Sequence, residues 1–285
     1  MSCYICGCKE YLERPGSVRD NSELKINECV ECGLVFLSSQ LHISDEHYKD
    51  SGMHDGHSPD IDNWLQETKK DDFRRYQFLK DRIKGKSIID FGCGAGGFLE
   101  MAKKIASSAS GIELEVALEE SFNKRDLIVY QNLKDAKNSG KKWDFVSAFH
   151  VVEHLNDPLS VLIELSSLIN ENGEIIVEVP NSDDILLTLY DNKDFQNFTY
   201  WSQHLFLFNK STIAILVNKA NLKLNWVKHI QRYPLANHLH WLAKGLPAGE
   251  KIWPFMNNDK LNKLYEEELA NKCLTDTIIL SIGLH

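Results

Sequence analysis

Residues 88–98 read Ile-Ile-Asp-Phe-Gly-Cys-Gly-Ala-Gly-Gly-Phe. Two β-branched residues lead into an acid, Asp90, and then Gly92, Gly94, Gly96 and Gly97 make a sharp turn. Phe98, Leu99, Met101, Ala102 and Ile105 follow at helical spacing. Strand, glycine turn and helix in succession bring backbone N–H groups close to a small ligand. Gly92, Gly94 and Gly97 also fit the dinucleotide pattern G-x-G-x-x-G, in which a helix N-terminus meets a pyrophosphate. A carboxylate at the end of the strand repels a pyrophosphate and suits a ligand carrying an ammonium or sulfonium group.

S-adenosylmethionine carries both groups and no phosphate. A second acid, Glu113, follows Ala-Ser-Gly-Ile about 20 residues on, where a second strand should end, with Leu114 beside it. That placement suits the two hydroxyls of a ribose. Asn132 and Leu133 follow a third strand and are placed for an adenine, and Phe149 and His150 close a fourth.

The second chemical cluster is sulfur. Cys3-Tyr-Ile-Cys6-Gly and Cys29-Val-Glu-Cys32-Gly are two matching knuckles, and each C-x-x-C can set two thiolates on one tetrahedral ion. Cys8 is an extra thiol that could replace Cys6, although the symmetry of the knuckles favours Cys6. About 40 residues build little core, so a structural zinc held by Cys3, Cys6, Cys29 and Cys32 is expected to supply the folding free energy. Cys93 and Cys273 read as plain buried thiols.

These residues need elements to hold them. Helical periodicity at 64–83 leads into a strand at 86–91, then helix 95–106, strand 109–113, helix 115–124, and strands 127–131 and 143–149. Helix 157–169 starts on Asn156 or Asp157 with Pro158 in its first turn. Strand 174–180, helix 209–220 ending at Asn221, and strands 224–233 and 276–284 complete the series. The alternation predicts an α/β, Rossmann-like fold, a seven-stranded mostly parallel sheet with helices on both faces, plus the zinc ribbon. The expected division is a ribbon at 1–41, a linker and helical segment at 42–84, and a catalytic domain at 85–285. An insert at 234–273 reads as a helical lid.

The spacing Asp-x-Gly-x-Gly-x-Gly at 90–96 resembles motif I of class I methyltransferases. The stretch Phe149-His150-Val-Val-Glu153-His154-Leu-Asn-Asp-Pro158 resembles their motif IV, and Glu-Val-Pro180-Asn181 and Trp201-Ser-Gln-His204-Leu-Phe-Leu-Phe208 resemble later segments. Cysteine knuckles followed by such a domain look like the sugar methyltransferases of deoxysugar and surface-polysaccharide pathways. The resemblance implies transfer to a hydroxyl of a sugar or sugar nucleotide. The alternatives are a quinone or polyketide-like acceptor, or a non-catalytic binding module on the same fold.

For a hydroxyl acceptor, His154 or His204 is the expected general base, with Glu153 orienting an imidazole. His150, Glu153 and His154 stand at x, x+3 and x+4, on one side of a helical turn. A divalent cation on His150, Glu153, His154 and His204 is the other option, as some ubiquinone and small-RNA methyltransferases use a Glu-x-x-Glu-His set. Tyr190, Tyr200, Trp201, His238, His240 and Trp241 suit either stacking on sugar faces or nucleobases or packing of the lid.

The 285 residues can bury a sizeable core, and the 43% hydrophobic and 26% charged composition is that of a globular protein. A net charge of −9 speaks against a nucleic-acid partner. No apolar run is long enough to span a membrane, and no signal peptide is visible, so a cytoplasmic location and a small-molecule substrate are expected. Seven cysteines there point to metal ligands or free thiols. The sequence allows a homodimer.

Overall fold

A computed structural model describes residues 2–43 and 59–285. Most of the polar stretch expected as a linker, including Ser51–His57, lies outside the described residues.

The N-terminal segment forms three short strands, β1 (Tyr11–Glu13), β2 (Ile26–Cys29) and β3 (Val35–Leu37). They pair antiparallel in order, and β3 then pairs with β9 (Phe206–Leu207) from the distant part of the chain. The cysteine module therefore shares a four-stranded sheet with a loop of the main domain.

Helix α1 (Ile61–Ile83) begins where Asp60 accepts the Asn63 amide at 3.0 Å. Then follow β4 (Ser87–Phe91), α2 (Gly97–Ala102), β5 (Ser108–Ile112), α3 (Glu119–Lys124), β6 (Ile128–Tyr130), α4 (Leu133–Asn138), β7 (Trp143–Phe149), α5 (Pro158–Ser166) and β8 (Ile169–Pro180). The chain continues through α6 (Lys193–Thr199), β9, α7 (Lys210–Lys219), β10 (Lys223–Ile230), α8 (Leu235–Lys244), α9 (Gly249–Ile252), α10 (Asp259–Asn271) and β11 (Thr277–Gly283).

The main sheet has seven strands in the order β10-β11-β8-β7-β4-β5-β6. All are parallel except β11, which runs antiparallel to both its neighbours. Its central strands are apolar on both faces: Ile88, Ile89, Val146, Ala148, Ile175, Ile176 and Val177 are all fully buried. That is the pattern a helix-covered parallel sheet demands.

Several elements differ from periodicity. The helix expected at 95–106 is regular only over 97–102, and that at 115–124 opens with a 3-10 turn, Val116–Leu118. β8 begins five residues earlier than the apolar run at 174–180, because Asn170, Glu171 and Asn172 are polar and exposed. Helices α4 and α6 were not anticipated; each opens on an asparagine cap, Asn132 and Asn192. Asp157 caps α5 through Ser160 N at 3.1 Å, and Asn221 takes the left-handed conformation with φ 54°.

α1 lies along the sheet because of charge as well as shape. Arg74 and Arg75 each place two N–H groups on Glu178 of β8, at 2.9–3.0 Å, and Glu178 is fully buried. Breaking one side of a buried ion pair costs about 3–5 kcal/mol. Glu178→Ala is therefore expected to lower unfolding free energy by about that amount in urea titration. A loss below about 1 kcal/mol, the value of an exposed pair, contradicts this account.

Candidate functional site

A cavity of about 410 Å3 opens at the carboxyl ends of β4, β5 and β7. Asp90, the glycine turn, Glu113, Leu114, Phe149, His150 and His154 all line it, and one face of α1, with Trp64, Thr68, Asp72 and Arg75, forms the opposite wall. Its volume falls in the range of about 300–1,000 Å3 usual for small-molecule sites. The turn needs its glycines. Gly92 has φ 68°, and a Cβ there would stand 2.6 Å from Val151. A Cβ on Gly97 would stand 2.3 Å from the Asp72 carboxylate.

Asp90 is buried on the central strand and accepts from Ser147 Oγ at 2.6 Å; Ser147 is its register partner on β7. Burial pushes its pKa up to about 7 against the Ser147 hydrogen bond. Glu113 is also raised, first by burial, although both its oxygens accept backbone amides: Oε2 from Gly94 at 2.8 Å and Oε1 from Glu115 at 3.0 Å. Each oxygen keeps a second lone pair for a ligand hydroxyl. Two carboxyls held above their ordinary range by burial are relieved by a positively charged guest.

Asn132 and Leu133 do not reach this cavity: Asn132 accepts from Asp135 N to cap α4, and Leu133 packs partly buried on the core. Gln131 stands nearer instead, with Nε2 donating to Leu114 O at 2.5 Å beside a smaller cavity of about 170 Å3. It lies one residue from the position that strand counting favoured.

The histidines divide into two groups. His150 has φ 54° and its own amide bonds to Glu178 O at 2.8 Å. Its Nδ1 is 3.0 Å from Glu153 Oε1, and its Nε2 is 3.1 Å from Arg232 Nη1 and 3.2 Å from Glu178 Oε1. Arg232 is held in turn by Asp71 of α1 at 2.5 and 3.2 Å. Burial pushes the half-buried Asp71 up, but the Arg232 charge and hydrogen bond and the Arg74 charge outweigh it and it drops to about 2. Arg74, Arg75, Glu178 and Arg232 were not singled out from sequence. The pair Arg74-Arg75 inside an amphipathic helix is the one local signal for them, and it reads equally well as a solvated face.

Only Val152–His154 is helical in this loop, as one 3-10 turn, so His150 and His154 do not share a helix face. His154 instead meets His204 at 4.9 Å and Trp201 at 5.8 Å between ring centroids. His204 falls to about 3, mainly through burial and then the neighbouring His154. Glu153 is fully buried and its Oε2 has no hydrogen-bond partner among the described residues; burial pushes its carboxyl up, but the His150 hydrogen bond together with the neighbouring imidazoles of His150, His154 and His204 outweighs it and the carboxyl is lowered. Ligand atoms of Glu153, His154 and His204 lie within 4.8 Å of one another; His150 is outside that group.

The insert at 234–273 is helical, but none of its residues lines the cavity. Trp241 is buried against Phe195 and Phe198 at 5.3 and 5.0 Å, and His240 Nδ1 bonds to Leu246 O at 2.8 Å. His238 Nδ1 bonds to Tyr265 Oη at 2.9 Å. These aromatics pack the insert.

The four knuckle sulfurs gather within 4.8 Å of one another, with Cys3–Cys32 at 3.5 Å and Cys6–Cys29 at 3.4 Å. Tetrahedral zinc with Zn–S of about 2.3 Å needs sulfurs about 3.8 Å apart. Burial raises the Cys6 and Cys32 thiols, while at Cys29 the Cys32 and Glu31 amides and the neighbouring thiols outweigh burial and lower it to about 7. Cys8 stands outside the cluster, on Glu10.

Comparison with known proteins places this geometry. A ubiquinone biosynthesis O-methyltransferase of Vibrio parahaemolyticus is 29% identical over 110 residues, 35% of this chain and 46% of its own. A tRNA U34 carboxymethyltransferase of Campylobacter hominis is 30% identical over 131 residues, 40% of this chain and 45% of its own. The chain thus spans about half the length of the curated relatives it matches. A chain from the complex between the Haloferax volcanii Trm112 methyltransferase activator and a methyltransferase shares the fold, with TM-score 0.51 and 12% identity over 79% of this chain and 98% of that one. The family model described as a methyltransferase domain matches residues 62–225, more than half of the sequence, and the chain belongs to that family, the class I S-adenosylmethionine-dependent methyltransferases.

Proposed function

We propose that this protein transfers the methyl group of S-adenosylmethionine to a hydroxyl oxygen of a small molecule, a sugar or sugar nucleotide. One observation carries the reading: a single cavity has Asp90, Glu113 and the glycine turn on one side and His154 on another. When bound, the cofactor supplies a methyl carbon activated by sulfonium. Asp90 and Glu113 meet its positive charge and its ribose, and the glycine turn lets backbone approach it. His154 stands at the acceptor side to take the proton of the hydroxyl as it attacks, while His150, tied to Glu153, Glu178 and Arg232, holds the wall.

The sugar acceptor rests on the resemblance of the knuckles and domain together. A quinone-type hydroxyl is the second reading, favoured by what the Vibrio relative is named for. The Campylobacter relative is named for a tRNA, so net charge of −9 does not by itself exclude a nucleic-acid acceptor. The four cysteines would hold zinc as a structural ion, since they leave it no open position.

Calorimetry with S-adenosylmethionine tests the cofactor assignment; no binding at millimolar ligand would leave only a binding module. Asp90→Ala should weaken binding at least about tenfold, the effect of losing one charge contact of about 1.4 kcal/mol. The pH dependence has a defined sign. Asp90 moves from 3.8 to about 7 on folding, so the ligand-free fold gains from its proton at low pH and loses that gain as pH rises through about 7. A cationic ligand prefers the carboxylate, so affinity should rise by up to about tenfold per pH unit below 7 and level off above. Asp90→Asn should flatten that slope.

A divalent cation on Glu153, His154 and His204 is the second mechanistic reading, favoured by Glu153 Oε2, which has no hydrogen-bond partner among the described residues. Such an ion would polarise the acceptor oxygen. A weak chelator that spares the cysteine site should leave turnover unchanged if His154 acts as base, and abolish it otherwise.

A further inference from the structure

The geometry points to the metal-closed cysteine module as the element that positions His154 and His204 against each other, each knuckle gripping one of the two loops that carry them. The inference rests on the proposed role of His154, but its geometry does not depend on the acceptor.

The first knuckle reaches the His154 loop. Tyr4 lies between Cys3 and Cys6, and its hydroxyl donates to Asp157 and accepts from Leu159 N at 3.0 Å. Asp157 is the cap of α5, three residues beyond His154. Asn156 Nδ2 donates to Ile43 O at 2.8 Å, a further tie from the N-terminal segment to the same loop. The Tyr4 ring also packs on Phe206 at 5.1 Å, so it touches both loops.

The second knuckle reaches the His204 loop. Cys29 ends β2, and the turn closes with Gly33 N on Cys29 O at 2.9 Å and Cys29 N on Leu34 O at 2.9 Å. That turn delivers β3 directly onto β9, with Val35 opposite Leu207 and Phe36 opposite Phe206, and Leu37 N bonds to Leu205 O at 3.1 Å. The backbone of 200–205 finds further partners in the N-terminal segment: Arg19 N on Tyr200 O at 3.0 Å, Asp20 on Ser202 N at 3.0 Å and His42 on Ser202 O at 2.7 Å. Arg19 also stands over the Trp201 ring at 5.0 Å, and that ring packs edge-on against His204 and His154.

The consequence follows from size. β9 has two residues, and although Phe208 beyond it is tied to the main domain through Ser182 N at 2.9 Å, residues 200–205 before it find their backbone partners in the N-terminal segment, whose two short knuckle turns are closed by the ion. Loss of the ion from the knuckles therefore releases Tyr4 and β3 together, and with them both histidine loops. The glycine turn and Asp90, on the central sheet, keep their own packing.

Hydrogen exchange of the full chain, zinc-loaded and after chelation under reducing conditions, tests this without any turnover. Exchange should quicken by about tenfold or more in 150–158 and 200–208. Residues 87–97 should stay protected, and S-adenosylmethionine should still bind. Quickening confined to residues 2–37, or a chain that takes up no zinc at these cysteines, overturns the inference. If chelation melts the whole chain, Tyr4→Phe decides. That variant keeps all four cysteines and should retain one zinc and its cofactor affinity, yet exchange faster over 150–156. Unchanged exchange there overturns the inference. Failure to find any methyl acceptor would count against the proposed function and leave these outcomes standing.

Discussion

Glu178 lies on an inner strand of the sheet with no exposure to water, and a carboxylate there is tolerable only when cations and hydrogen-bond donors surround it. Arg74 and Arg75 come from α1, and His150 comes from the loop after β7. Arg232, two residues beyond β10, joins through His150 and Asp71. One buried charge thus sets where α1 lies, which way His150 faces and where the strap into the helical insert begins. Its carboxyl stays well below the ordinary range because the Arg75 charge and the His150 hydrogen bond outweigh burial. The cavity wall is made by the same contacts that fix α1.

Two regimes of charge meet in the cavity. On the His150 side Arg74 and Arg75 meet Glu178, and Arg232 meets Asp71, each at bonding distance. On the Asp90 side, burial raises two carboxyls, and their hydrogen bonds do not restore an ordinary pKa. Such groups are costly until a cation arrives. In the proposed function a sulfonium or ammonium lies against Asp90 and the acceptor towards His154.

The cysteine module changes the meaning of the N-terminus. Its cysteines are legible as a metal site, and on spacing alone they suggest an appendage. The shared sheet of β1, β2, β3 and β9 makes the module part of the wall behind His154 and His204. The ring contacts among His154, Trp201 and His204 join segments that are far apart in sequence, and that sheet braces one of them.

Local patterns were enough for the α/β alternation, the glycine turn with Asp90, the acid Glu113 after the second strand, and the Cys3, Cys6, Cys29 and Cys32 set. Each is written in a few consecutive residues whose backbone demands or ligand spacing are local. Helix α4 and the placement of Asn132 were not legible, because an asparagine after a strand serves equally as a ligand contact or as a cap, and local sequence does not choose. The division of the histidines was also hidden: spacing x, x+3, x+4 assumes a helix, whereas the loop makes one 3-10 turn and His150 adopts a positive φ. Arg74, Arg75, Glu178 and Arg232 look like ordinary surface charges until the sheet closes over them. Only the tertiary structure decides such cases, because a charge belongs to a site when burial removes its water and a partner from another strand replaces it.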